Sequence, residues 1–270
     1  MHNVYCLTGA LIGRPNGRDY KLLADCATRI ECDGFEFLMY EDWYGIYESV
    51  AEYITKSNIH TPVFHIEKQV GELISRNHPG DTERAIGLFA INCRTAELIG
   101  SKLLVLHLWG GIDSDKTIEH NIKTYMNLRD IAEKHSLTLT VENVVCNFAE
   151  PLTHLFRLAE VYPDIKFTFD TKMAQFHRQL ERIYELPTEW TSAHIAHMHI
   201  NDYGGGYMDW ANLKTLHPGE GNVDFPRFFE YVRKIYKGDL TIESTSFDKT
   251  GIIHFDKMNE DIRFVKECLK

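Results

Sequence analysis

No stretch of this chain stays apolar long enough to cross a bilayer, since a helical span needs about 20 such residues, and this excludes an integral helical membrane protein. Cysteine is sparse and unpaired in pattern. The six residues Cys6, Cys26, Cys32, Cys93, Cys146 and Cys268 contain no CxxC spacing, which argues against a closed thiolate zinc site and for free thiols in a reducing compartment. An excess of basic charge is also missing: 29 Lys and Arg face 39 Asp and Glu, for a net charge of −10, so there is no electrostatic footprint for a nucleic acid. The N-terminus has no basic region followed by an apolar stretch, so no secretory signal is expected and a cytoplasmic location is the default. Low-complexity segments, long polar tracts and domain linkers are absent too.

What remains is a 270-residue chain with 44% hydrophobic and 25% charged residues, the composition of an ordinary globular domain. Short apolar or β-branched runs alternate with helical patterns from end to end. Eight runs read as strands: Val4–Leu7, Gly34–Leu38, Pro62–His65, Leu103–His107, Leu137–Glu142, Lys166–Asp170, His197–Ile200 and Leu240–Glu243. Between them, Asp81 to Ile99 reads as a long helix with an acid-rich start and Gly100 just past its end, and Lys116 to His135 repeats the pattern. Leu152 to Ala159 behaves likewise, as does Phe225 to Ile235, with Pro226 in its first turn. Strand and helix alternating eight times in a chain of this length predict an α/β fold, a single-domain (β/α)8 TIM barrel spanning residues 1–270.

In such a barrel the C-terminal ends of all strands converge on one face. Four coordinating groups lie at or near those ends: Glu142 closes Leu-Thr-Leu-Thr-Val, Asp170 closes Lys-Phe-Thr-Phe, His199 sits in His-Met-His-Ile, and Glu243 closes Leu-Thr-Ile. Carboxylates there are costly to desolvate unless something offsets their charge. Three hard oxygen donors and one imidazole suit one divalent metal ion, Mn, Mg, Co or Zn, in an open site. His65 and His107 end the third and fourth strands, Trp109 follows His107 on the same face, and Lys172 follows Asp170. Tyr40, Trp43, Tyr203, Tyr207 and Trp210 fall in loops at the same rim, suited either to sugar stacking or to packing. Glu36 reads as an ion-pair or hydrogen-bond partner inside the barrel mouth, and His197 lies one layer deeper than His199 on the same strand face.

These residues also carry a resemblance. Gly34-Phe35-Glu36, Ala96-Glu97-Leu98-Ile99-Gly100 leading to His107, Val141-Glu142-Asn143, Phe169-Asp170, His199-Ile200-Asn201-Asp202, the loop from His217 through Gly219-Glu220-Gly221 to Phe225, and Ile242-Glu243 together resemble the xylose isomerase-like TIM barrel superfamily. That group includes sugar isomerases, ketose 3-epimerases and endonuclease IV. The resemblance implies that Glu142, Asp170, His199 and Glu243 bind one metal, and that Glu142 and Glu243 also flank the substrate carbon and exchange its proton. Elementary chemistry agrees, because a metal bridging a carbonyl and the adjacent hydroxyl acidifies the C–H between them and leaves two carboxylates to act as base and acid.

The chain departs from the epimerase pattern at two places. Met173 stands where a histidine is usual, and the segment Asn201-Asp202-Tyr203-Gly204-Gly205-Gly206-Tyr207 lacks an expected arginine. Both groups would hold substrate oxygens, so the substrate does not transfer with the resemblance. The function expected is a metal-dependent isomerase or epimerase of a sugar, sugar phosphate or cyclitol, with His65, His107, Trp109 and Lys172 as substrate contacts. A keto-sugar or keto-inositol dehydratase on the same scaffold needs the same metal and base. An endonuclease IV-like phosphodiester hydrolase would use His65, His107 and Glu142 as ligands of a second ion, but its third-site ligands are missing. The partner expected is a small carbohydrate, with no nucleic acid and no membrane, and with room for a homo-oligomer.

Overall fold

The computed structural model describes residues 2–270. Its eight strands are β1 (Val4–Leu7), β2 (Phe35–Leu38), β3 (Val63–His65), β4 (Leu103–Leu106), β5 (Thr138–Glu142), β6 (Lys166–Asp170), β7 (Ile195–Ile200) and β8 (Asp239–Ile242). They pair in sequence order and close into a parallel barrel, with helices between successive strands. This is the (β/α)8 barrel the alternation predicts. β1 and β6 match the expected bounds, and β7 begins earlier, at Ile195.

By backbone contact the chain forms two compact units, Met1–Glu36 with Phe169–Lys270, and Phe37–Thr168. In the first, β1 pairs with β8 and β2, and β7 pairs with β8, setting His199 opposite Thr241 and Leu7 opposite Glu36. In the second, β3, β4, β5 and β6 pair in turn, setting His65 opposite Val105 and Glu142 opposite Thr168. Parallel strands buried on both faces read as near-continuous apolar runs, and the polar exceptions here fall on one parity. Thr140 and Glu142, Thr168 and Asp170, and His197 and His199 are each two residues apart and all buried, so each pair shares one face of its strand. The threonines are satisfied locally: the Thr140 and Thr168 hydroxyls lie 2.7 Å apart, and Thr140 Oγ1 also donates to the Leu104 carbonyl at 2.7 Å.

The helix Asp81–Leu98 buries Ala85, Phe89, Asn92, Cys93 and Ala96, a helical stripe, and packs against the helices Tyr47–Lys56 and Ile118–Lys134. The shorter helix Gln69–Arg76 comes so close to the end of β4 that a Cβ on Gly71 would sit 2.0 Å from the His107 carbonyl oxygen. Only glycine permits that approach, and it fixes the backbone from which His107 projects. All six cysteines are free thiols, as their spacing predicts. Among the described residues no helix is long and apolar enough to cross a membrane.

Candidate metal centre

Parity brings the polar groups of the first unit to one place. Asp170 ends β6, Glu243 follows β8 directly, and His199 lies one residue before the end of β7. A ligand atom from each lies within 4.8 Å of the others. His199 Nδ1 is 3.1 Å from Glu243 Oε1. Asn201, two residues beyond His199 and so on the same strand face, is fully buried between the two acids. Its amide nitrogen donates one hydrogen to Asp170 Oδ2 at 2.7 Å and the other to Glu243 Oε2 at 3.0 Å. Its carbonyl oxygen is buried without a hydrogen-bond partner among the described residues. The i, i+2 spacing from His199 was the signal for Asn201, and it is weak because any strand residue shares its parity with half of its neighbours.

Beneath this group lies a second one. Glu36, fully buried on β2, has both carboxylate oxygens 3.1 Å from His199 Nε2, and its Oε2 also accepts from His197 Nε2 at 3.1 Å. His197 Nε2 is in turn 2.8 Å from the Thr241 hydroxyl. Burial by itself raises a carboxyl pKa, but the two imidazoles against Glu36 hold it well below the ordinary carboxylate range. The expectation of an ion-pair or hydrogen-bond partner at Glu36 is met, and the partner proves to be the metal-ligand candidate His199 with its neighbour His197.

In the second unit, Glu142 ends β5 and faces two imidazoles. His107 Nε2 is 2.7 Å from Glu142 Oε2 and His65 Nε2 is 3.6 Å from it, with the two rings edge to face at 5.0 Å. His65 Nδ1 is spent on the Ile66 carbonyl at 2.9 Å. Burial pushes the His107 pKa down to about 4, against the pull of Glu142, which leaves it a neutral imidazole near pH 7. These three residues have ligand atoms within 4.8 Å of one another.

Trp109 needs a correction. It was expected to meet substrate, but it is wholly buried: its indole N–H donates to the Val144 carbonyl at 3.2 Å and its ring meets the edge of His154. With both face and donor occupied, it supports the loop after β5 rather than presenting a stacking surface. Lys172 is buried in the first unit, and its ammonium donates to Thr215 Oγ1 at 2.8 Å.

Two loop clamps had no clear sequence signal. Asp115 accepts from the backbone N–H groups of Asn147, Phe148 and Ala149 and sits 2.9 Å from His154 Nε2. Cys146 lies within ligand distance of both Asp115 and His154, but those four hydrogen bonds already occupy both oxygens of Asp115, so the trio is a clamp and not a metal site. Asp202 likewise accepts from the N–H groups of Tyr203, Gly219, Gly221 and Val223 and closes the loop after β7. A Cβ on Gly221 would meet Asp202 Oδ1 at 2.4 Å, which accounts for a glycine in that turn.

Fold and donor groups together define a (β/α)8 barrel with carboxylates and imidazoles gathered at the C-terminal ends of its strands. The family described as xylose isomerase-like TIM barrel matches residues 24–268, and the chain belongs to that family. An uncharacterised protein of Methanocaldococcus jannaschii is 24% identical over 211 residues, covering 76% of this chain and 75% of that one. Among solved structures the chain is similar to D-allulose 3-epimerase from Methylomonas sp., with a TM-score of 0.72 at 16% identity over 99% of this chain and 98% of that one. It is also similar to an L-ribulose 3-epimerase, with a TM-score of 0.70 at 16% identity over 100% of this chain and 95% of that one. At these identities the likeness to solved structures is one of fold.

Proposed function

We propose that the protein is a metal-dependent epimerase or isomerase of a small ketose, ketose phosphate or keto-cyclitol. The observation that carries this reading is the Asp170–His199–Glu243 group, with Asp170 and His199 buried and Glu243 partly so, whose two acids share the amide of Asn201. A buried and a partly buried carboxylate beside one imidazole call for a compensating positive charge, and this donor set matches a hard or borderline divalent cation, Mn, Mg, Co or Zn. In this reading Glu142, at the end of β5, is the fourth ligand. Sugar 3-epimerases among the solved structures of the same fold support the choice of substrate class.

A divalent ion bound there would supply Lewis-acid polarisation of a substrate carbonyl. The remaining chemistry belongs to the side chains. Glu142 and Glu243 flank the substrate carbon next to the carbonyl, one taking its proton and the other returning a proton to the opposite face. Neighbouring side chains hold each in place: His107 Nε2 lies 2.7 Å from Glu142 Oε2, and the Asn201 amide donates to Glu243 at 3.0 Å. Lys172 supplies a donor for substrate hydroxyls, the second ring nitrogen of His107 and Nε2 of His65 supply imidazole contacts, and the carbonyl of Asn201, unpartnered among the described residues, supplies an acceptor.

The test is solvent exchange. Incubated in ²H₂O with a panel of ketoses, keto-inositols and their phosphates, the protein should wash deuterium into the carbon next to the carbonyl of one of them, even where no net product forms. Absence of exchange across the panel in metal-loaded protein would remove the enolising reading. A dehydratase would show the same exchange followed by loss of water. A phosphodiester hydrolase is the reading that the His65–His107–Glu142 group favours. It needs clustered ions, so metal stoichiometry separates the two: one tight ion per chain fits the sugar enzyme and three would sink it.

A further inference from the structure

A neutral imidazole can bind a metal only through the nitrogen that carries no proton, and the hydrogen bond made by the other nitrogen decides which one that is. His199 has a different neighbour at each end. Its Nε2 lies 3.1 Å from both oxygens of Glu36, and its Nδ1 lies on the side of Glu243, 3.1 Å from Oε1. An ionised carboxylate has no hydrogen to give. Both neighbours are carboxylates at the same distance, so what separates the two nitrogens is the side on which the candidate ligands stand: an ion held with Asp170 and Glu243 would meet Nδ1, and the ring's one proton would then sit on Nε2 and be donated to Glu36.

We infer that Glu36 is a positioning residue that orients the ring of His199 and selects Nδ1 as its ligand atom, with His197 holding Glu36 in place. This rests on the metal reading above. The local construction supports it. Glu36 is fully buried deep in the barrel mouth, where a bare carboxylate would be expensive, and its ring partners are the two inward-facing histidines of β7. His197 reaches both Glu36 Oε2 and Thr241 Oγ1 from one nitrogen, so the oxygen that Glu36 offers to His199 is itself fixed.

The test uses the intact chain labelled with ¹⁵N-histidine and loaded with ¹¹³Cd²⁺. Long-range proton–nitrogen correlations should place the ring proton of His199 on Nε2 and the cadmium coupling on Nδ1. Coupling at Nε2 would overturn the inference, and this measurement needs no variant. The Glu36→Gln protein should then bind Cd²⁺ about 10–100-fold more weakly in chelator competition, because its neutral amide polarises the ring less and tolerates either tautomer. Unchanged affinity in a folded Glu36→Gln protein would reduce Glu36 to a structural ion-pair partner and leave the metal reading standing. A wild-type protein that binds no Cd²⁺, Mn²⁺ or Zn²⁺ would instead remove the metal reading and this inference with it. If Glu36→Gln does not fold, the wild-type spectrum alone decides.

Discussion

Glu142 and Glu243 differ from Asp170 in what a one-atom change does to them. An amide keeps an oxygen for a cation but cannot take a proton, so Glu142→Gln and Glu243→Gln should lose on the order of 10² or more in turnover while still binding metal, more weakly. Near-normal turnover in both variants, measured with the substrate found by deuterium exchange, would leave the two residues as ligands only. His107 tests a different assignment. A neutral imidazole against Glu142 suits a hydroxyl contact, so His107→Ala should raise KM by about 3–10-fold, the loss of one hydrogen bond of ~1 kcal/mol, with one tight ion retained. A fall in stoichiometry from two ions to one on the same change would favour the hydrolase.

Asp115 acts at the scale of an element, because its carboxylate organises the loop that follows β5 and its Glu142. Burial raises its carboxyl pKa, but His154 and the N–H groups of Phe148 and Asn147 outweigh burial and hold it well below the usual range. A depressed carboxyl contributes stability that is fully present above the unfolded value of about 3.9 and is lost as pH falls through the folded one. Asp115→Asn should therefore cost about 1–3 kcal/mol at neutral pH, since an amide nitrogen cannot accept the bonds made to one of the two oxygens. Its deficit relative to the wild type should shrink below about pH 4, as the unfolded wild-type chain takes up a proton at this carboxyl, and vanish once the folded carboxyl protonates as well. Amide exchange at Asn147, Phe148 and Ala149 measures this directly, and equal protection in both proteins at pH 7 would refute the clamp.

For the whole molecule, a ligand that binds only the folded barrel must raise its stability by mass action. A divalent ion at about 100 times its Kd adds ~2.7 kcal/mol, which for a chain of this size corresponds to a Tm increase of about 5–10 °C. Differential scanning fluorimetry after chelation and reloading checks it, and Asp170→Ala should abolish the shift while keeping a cooperative melt, because the hydrophobic core does not depend on that residue. Full metal occupancy in Asp170→Ala would reject the ligand assignment.

All eight strands and the long helices were legible in the sequence, because the period of apolar residues is a local property that survives without tertiary information. The bounds of β1, β6 and the helix Phe225–Ile235 come out as read. The strand-end positions of Glu142, Asp170, His199 and Glu243 were legible for the same reason, since strand order and the parallel rule carry each to one face of the barrel. Tertiary structure alone decided what touches what. It placed Asn201 between Asp170 and Glu243, turned Trp109 into the packing around His154, and set Asp115 under three backbone N–H groups from a loop more than thirty residues away. It also set Glu36 against His199 across a sequence separation of 163 residues. Hydrogen-bond partners are chosen by angstrom-scale distances in three dimensions, and no local periodicity encodes them.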